Sequence, residues 1–222
     1  MNWKALIKKM VSTSVPAIDT TYTKPARRSV TGIPTAIQVG ATAIKPGLKV
    51  REEKENKICL VFDTSGSMWG HVPTVMAEAQ TLLGMVGKSK FPIMVVFFAG
   101  DSEWYKINLS QDSYQRIGGI SDADKPMAAD AKKGWKTVLS LGGSGGTVFS
   151  DGLASDLGVL AGAGYNVMIF SDSDMLAASN WANLFILWKA HKQKVFYVAN
   201  NEATWRTACK QAGQFPDNWS HL

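Results

Sequence analysis

A carboxylate and two hydroxyls follow directly on a short apolar segment of this chain. Residues 58–62 are all apolar, and Asp63, Ser65 and Ser67 come immediately after them. Such a run predicts a buried parallel strand, and ligands of open α/β sheets collect beyond the carboxyl ends of strands. Closely spaced oxygen ligands suit a hard divalent cation such as Mg²⁺. We therefore expect a cation site at this strand end.

Two later segments carry the same kinds of side chain after a predicted strand. A glycine-rich loop, residues 142–146, leads into Thr147, and a strand predicted at 166–170 leads into Ser171 and Asp172. Because the carboxyl ends of parallel strands meet at one edge of a sheet, Thr147 and Asp172 are expected to join the Asp63 loop.

Two accessory residues are predicted near this site. Asp174 either adds negative charge or caps the next helix, a position that favours Asp. His71 either lines the face of the site or is an ordinary surface residue in the first turn of a helix.

The three segments together resemble the metal-ion-dependent adhesion site (MIDAS) of von Willebrand factor type A (VWA) domains. They occur in the family's order, as Asp63-x-Ser65-x-Ser67, Gly145-Gly146-Thr147 and Ile169-Phe170-Ser171-Asp172. The resemblance covers roughly residues 57–213. One departure is Ser173, which stands where the family commonly has Gly after the last Asp.

The resemblance implies a bound Mg²⁺ or Mn²⁺ and a protein partner that offers an Asp or Glu to the metal. It implies a docking site without catalysis, such as intracellular relatives use beside AAA+ ATPases. The implied ligands are the hydroxyls of Ser65, Ser67 and Thr147, with Asp63 and Asp172 acting directly or through water.

Alternating strand and helix patterns surround these motifs. They predict an α/β fold, with a Rossmann-like doubly wound, mainly parallel sheet and helices on both faces. Residues 110–134 show no clear pattern. The predicted strands are 58–62, 91–99, 136–141, 166–170 and 194–199, with a hairpin partner at the sheet edge at 103–109; the predicted helices are 72–86, 149–160, 180–191 and 202–212.

Basic charge is concentrated before this domain. Residues 1–57 hold 11 Lys and Arg against 4 Asp and Glu, whereas the remainder holds 13 against 14. Four prolines between residues 15 and 50 favour extended backbone. We predict a basic N-terminal arm at residues 1–56, with an amphipathic helix at 2–15, and a VWA-like domain at 57–222.

Cysteine content and hydropathy bear on the cellular location of the protein. Only Cys59 and Cys209 occur, so a disulfide framework is not expected. No apolar run approaches the roughly 18 residues of a membrane span. A cytoplasmic location is predicted, with a virion component as the alternative.

Two enzymatic alternatives have partial support in the sequence. Residues 62–67 are similar to the nucleophile loop of haloacid-dehalogenase-type (HAD-like) phosphatases, but Ser65 stands where these enzymes need a second Asp as general acid. The segment 142–146 contains Gly-x-Ser-x-Gly, and Asp172 and His191 follow in the chain order of an α/β-hydrolase triad. The match is weak in so glycine-rich a segment.

Two non-enzymatic functions remain open at this stage. An adaptor would capture an acidic segment of its partner through the metal. A structural subunit of a larger homo-oligomeric assembly, for example a viral particle, would use the arm for contacts between subunits. Nucleic-acid binding by the arm is a weaker alternative that predicts steep salt dependence.

Overall fold

The computed structural model describes residues 18–21, 47–50, 57–68, 70–86, 93–140, 146–172, 178–199, 201–213 and 219–221. The chain forms two compact units, one of residues 11–55 and another that contains residues 56–222. In the first unit, strand β1 (Ile18–Thr21) pairs antiparallel with β2 (Gly47–Val50). The helix predicted at 2–15 lies outside the described residues.

The second unit is built on a mixed eight-stranded sheet. Its strands are β3 (Lys57–Asp63), β4 (Ile93–Phe98), β5 (Ser102–Asn108), β6 (Ser113–Ile117), β7 (Lys132–Lys133), β8 (Tyr165–Ser171), β9 (Val195–Ala199) and β10 (Trp219–His221). They lie in the order β10-β9-β8-β3-β4-β5-β6-β7. Pairs from β10 to β4 are parallel, and pairs from β4 to β7 are antiparallel. The α/β class is therefore confirmed.

In the described part of the chain, four α-helices connect or follow the parallel strands, namely α1 (Val72–Val86), α2 (Asp151–Gly162), α3 (Ala178–Ala190) and α4 (Glu202–Ala212). From β3 the chain crosses through α1 to β4 on one side, and from β8 it crosses through α3 to β9 on the other. Because such crossovers are right-handed, α1 and α3 lie on opposite faces of the sheet. No described helix has the length and apolar character that a bilayer crossing requires.

Strand β3 is buried on both faces, which explains its unbroken apolar sequence. Cys59 and Val61 belong to the core cluster that also holds side chains of α2, α3 and α4. On the opposite face, the Phe62 ring stacks against Phe97 and Phe170, with ring centroids 5.8 and 5.0 Å apart. A central strand packed in this way holds its last residue in a fixed place.

Two sequence expectations about the sheet are wrong. Strand β5 is the antiparallel partner of β4, as predicted, but it does not lie at the sheet edge because β6 and β7 continue the sheet beyond it. The strand predicted at 136–141 is wrong in its described part, because Trp135–Ser140 is a 3₁₀ helix. Gly134 has a φ of +83°, and its carbonyl accepts the Thr137 N–H at 2.9 Å, so the chain turns here.

Candidate functional site

Asp63 ends β3 and is almost completely buried, with 1% of its surface exposed. Phe62 pairs with Phe170 on the neighbouring parallel strand, so Asp63 lies beside Ser171, the last residue of β8. The Ser171 hydroxyl donates a hydrogen bond of 2.6 Å to Asp63 Oδ2. The first carboxylate of the predicted site is thus held from the next strand.

The loop after β3 turns its polar groups back on Asp63. The Ser65 N–H donates to Asp63 Oδ1 at 3.0 Å. Ser65 Oγ and Ser67 Oγ lie 3.2 Å apart and share a hydrogen bond. A 3₁₀ turn at Gly66–Met68 produces this pairing, and it leaves Ser67 exposed while Ser65 is buried. The structure therefore brings all three residues of the first motif together.

Asp172 follows Ser171 directly and is 7% exposed. Burial raises the pKa of Asp63, hydrogen bonds from Ser171 and Ser65 oppose that rise, and the nearby negative charge of Asp172 adds to it. Two largely buried carboxylates therefore interact at this strand end. Among the described residues, the groups that favour the charged form of Asp63 are the hydroxyl and backbone amide donors of Ser171 and Ser65.

Thr147 lies at the same edge of the sheet. The Val148 N–H donates to the Ala99 carbonyl at 2.9 Å, just after β4. The carbonyl of Thr147 accepts from Asn180 Nδ2 at 2.9 Å, at the start of α3. Since β4 is the direct neighbour of β3, the backbone of Thr147 is fixed close to the Asp63 loop. Its side chain is half-buried.

Of the two accessory residues, His71 and Asp174, the structure describes only His71. His71 is exposed just before α1; its N–H donates to the Met68 carbonyl and its own carbonyl accepts from Val75 N. It therefore lies at the end of the Asp63 loop, one residue before the helix in whose first turn it is predicted to lie. Asp174 lies outside the described residues.

The hydrolase triad is not assembled. Helix α3 has 13 residues and so extends about 20 Å away from the strand end that carries Asp172. His191 follows the last residue of α3 and packs beside Gly158 of α2. His191 and Asp172 therefore lie at opposite ends of the parallel strands. Residues 142–145 of the glycine-rich segment 142–146 lie outside the described residues.

Asp122 and Asp124 are two further neighbouring carboxylates, and each forms a salt bridge with a lysine. Lys125 lies 2.9 Å from Asp122 and holds the pKa of that carboxyl below its usual range. Lys57 lies 3.0 Å from Asp124 and lowers its pKa in the same way. Lys57 is the first residue of β3 and Asp63 is the last, so the salt bridge of Lys57 with Asp124 lies at the opposite end of this strand from Asp63.

Ser171 and Asn180 have roles that the sequence analysis did not assign. Ser171 could have been identified from the pairing of β3 with β8, because equivalent ends of neighbouring parallel strands meet. Asn180 is 6% exposed and acts together with Asn183, whose side chain donates to the Phe149 carbonyl at 3.0 Å. These two amides fix the segment that carries Thr147, and no local sequence pattern marks them.

The available ligands are oxygen atoms alone, which suits Mg²⁺ or Mn²⁺ better than softer metals. Among the described residues, no three His, Cys, Asp or Glu side chains form a metal-binding group. The candidate site must therefore rely on hydroxyls beside its two carboxylates. No protein-family model matches the sequence, and no curated protein matches it.

Ser150 lies three residues after Thr147, and a substitution there can distinguish a residue that only caps a helix from one that binds the metal. Ser150 Oγ accepts the Leu153 N–H at 3.1 Å and caps α2. Replacing Ser150 with Ala is expected to lower the free energy of unfolding by about 1 kcal/mol, as measured by urea denaturation. Mg²⁺ affinity should not change, and a large loss of affinity would show that Ser150 belongs to the metal site.

Proposed function

We propose that this protein is a non-catalytic, Mg²⁺-dependent protein-binding module of the VWA type. Its doubly wound domain would carry a MIDAS-like site at the carboxyl edge of the sheet. The observation that carries the proposal is the buried Asp63 carboxylate, which Ser65 and Ser171 hold by hydrogen bonds. The paired hydroxyls of Ser65 and Ser67 and a second carboxylate, that of Asp172, lie beside it.

The fold explains why these residues suit a cation. Burial of Asp63 next to Asp172 is unfavourable while both carry negative charge and no cation balances them. The hydroxyls of Ser65 and Ser67 add ligand oxygens without further charge. Thr147 would complete the set from the neighbouring loop. When bound, Mg²⁺ or Mn²⁺ would supply a positive centre with a coordination position for a carboxylate.

The partner class follows from this charge balance. Two carboxylates balance the charge of a divalent cation, and the neutral hydroxyls leave it electrophilic, so an open coordination position would favour a further carboxylate oxygen. The partner would therefore present an Asp or Glu, as a subunit of an AAA+ ATPase or of an assembly could do. Exposure of Ser67 leaves the site accessible from solvent.

Metal binding can be tested by calorimetric titration of Mg²⁺ and Mn²⁺ into the full chain. Wild type is expected to bind one ion saturably. Replacing Ser67 with Ala should weaken binding by about 10-fold or more, the scale on which even outer partners of metal ligands act. Ser150→Ala is the matched control, since it also removes a serine hydroxyl, one that caps α2 three residues after Thr147. Absence of binding in wild type would refute the proposal.

Partner capture needs a separate measurement. An array of peptides containing Asp or Glu, each with an Asn or Gln twin, would be incubated with the protein in Mg²⁺ or in EDTA. Retention should require both the metal and the acidic residue. Equal retention by acidic and amide peptides would contradict carboxylate capture.

A second candidate function is that of a structural subunit whose basic segment contacts neighbouring copies. It is favoured by the excess of Lys and Arg in residues 1–57 and by the separate compact unit at residues 11–55. A light-scattering mass far above 24.1 kDa, lost on deletion of residues 1–55, would support this function.

A further inference from the structure

We infer that Ser171 is the positioning residue of the metal site: it orients the Asp63 carboxylate for the cation and is not itself a ligand. This inference rests on the proposed function. The O–H···O distance of 2.6 Å between Ser171 Oγ and Asp63 Oδ2 is that of a charge-assisted hydrogen bond. Such a bond is directional enough to fix a carboxylate.

Asp63 needs two contacts to be held in one orientation. The terminal torsion of an Asp side chain has a broad energy profile, so the carboxylate turns readily when only one oxygen is bound. The Ser65 N–H binds Oδ1 from within the Asp63 loop, and Ser171 binds Oδ2 from the adjacent strand. Of these two contacts, only the one from Ser171 does not depend on the conformation of the Asp63 loop.

The contact also sets the relation between the two carboxylates. Ser171 ends β8, and Asp172 is the next residue along the chain. Holding Asp63 to Ser171 thus fixes Asp63 relative to Asp172, although the two belong to different strands. A divalent cation that uses both carboxylates depends on that distance.

Burial distinguishes Ser171 from Ser67, the exposed hydroxyl of the proposed ligand set. Ser171 has 0% of its surface exposed, whereas Ser67 is exposed at the turn where a cation would arrive from solvent. Ser171 thus lies within the core at the strand end, with its hydroxyl directed at Asp63 Oδ2.

The test compares two variants that each lose one buried hydroxyl. Ser171→Ala removes the donor to Asp63, and Thr64→Val removes a hydroxyl that donates to the Phe98 carbonyl at 3.3 Å. Mg²⁺ affinity, measured by calorimetry on the full chain, is expected to fall 10- to 100-fold in Ser171→Ala, about the effect of losing an outer-shell partner. It should stay near wild type in Thr64→Val. Ser171→Thr restores the hydroxyl and should recover most of the affinity.

Each outcome has a distinct meaning. Wild-type affinity in Ser171→Ala would overturn the inference while leaving the proposed function intact. Equal losses in Ser171→Ala and Thr64→Val would also overturn it, because general loosening of the strand ends would then explain both. If wild type itself binds no Mg²⁺, the proposed function fails and the inference fails with it. Urea unfolding of each variant shows whether it is folded, and the first two variants decide the question even if threonine does not fit.

Discussion

Replacing Asp63 with Asn is expected to abolish Mg²⁺ binding and yet leave the metal-free protein at least as stable as wild type at pH 7. The variant removes a buried negative charge that lies near Asp172. The asparagine oxygen can still accept the Ser65 N–H, and its amide nitrogen can donate to the Ser171 hydroxyl, which accepts as well as donates. The loss of affinity should exceed about 100-fold, beyond that of an outer-shell partner.

Calorimetry and urea denaturation of the same samples measure the two effects. Asp151→Asn is the matched control, because Asp151 is exposed at the start of α2 and should affect neither quantity strongly. An Asp63→Asn variant that keeps wild-type Mg²⁺ affinity would exclude Asp63 from the site. A variant that loses affinity only because it unfolds would show that the carboxylate stabilises the fold.

The same residue determines a pH dependence. Burial raises the pKa of Asp63 above its usual value of 3.8, so the native state binds this proton more tightly than the unfolded chain does. The contribution of Asp63 to stability is therefore lost as the pH rises from 3.8 through the raised native pKa. Unfolding free energies measured over this range in EDTA should fall more steeply for wild type than for Asp63→Asn. Mg²⁺ should reduce the difference, and parallel curves would contradict this account.

Replacing Lys106 with Met is expected to lower the free energy of unfolding by about 2 kcal/mol, since hydrogen bonds from charged groups contribute about 1.5–3 kcal/mol each. Lys106 lies on β5 with 1% of its surface exposed, and its ammonium donates to the carbonyls of Asp122 and Lys125. Burial lowers its pKa, and the charges of Asp122 and Asp124 oppose that shift. Met fills similar volume but leaves both carbonyls without this donor.

Lys125→Met is the matched control for Lys106. Lys125 is exposed and pairs with Asp122, so its loss should cost no more than about 0.5 kcal/mol. Urea denaturation gives the two values, and limited proteolysis should show faster cleavage of residues 118–134 in Lys106→Met alone. Equal effects of the two substitutions would show that the buried Lys106 ammonium contributes no more to the free energy of unfolding than an exposed salt bridge does.

Long periodic segments of this chain could be assigned from the sequence. The apolar run before Asp63 predicts β3, and the repeating apolar positions after it predict α1, because burial of one face sets each pattern. The strand predicted after Gly134 is wrong. A short apolar sequence there is compatible with either strand or turn, and the backbone at Gly134 decides for a 3₁₀ turn.

The candidate site was predictable only in part. The first and third motifs follow strands, and all three motifs can be recognised within their own few residues, but the strand predicted before Thr147 is a 3₁₀ helix. The contact between Ser171 and Asp63 depends on which strands are neighbours, and local periodicity carries no such information. The same holds for Asn180, which fixes Thr147 from a helix 33 residues further along the chain.

The shortest strand of the sheet has a consequence for the behaviour of the protein at high concentration. Strand β7 is the last described strand on its side of the sheet, and it consists of two exposed lysines. Unpaired strand edges invite addition of strands from other molecules, whereas short, positively charged edges repel one another. This edge therefore protects the protein against fibril growth, and replacing Lys132 and Lys133 with Val would create an aggregation-prone border.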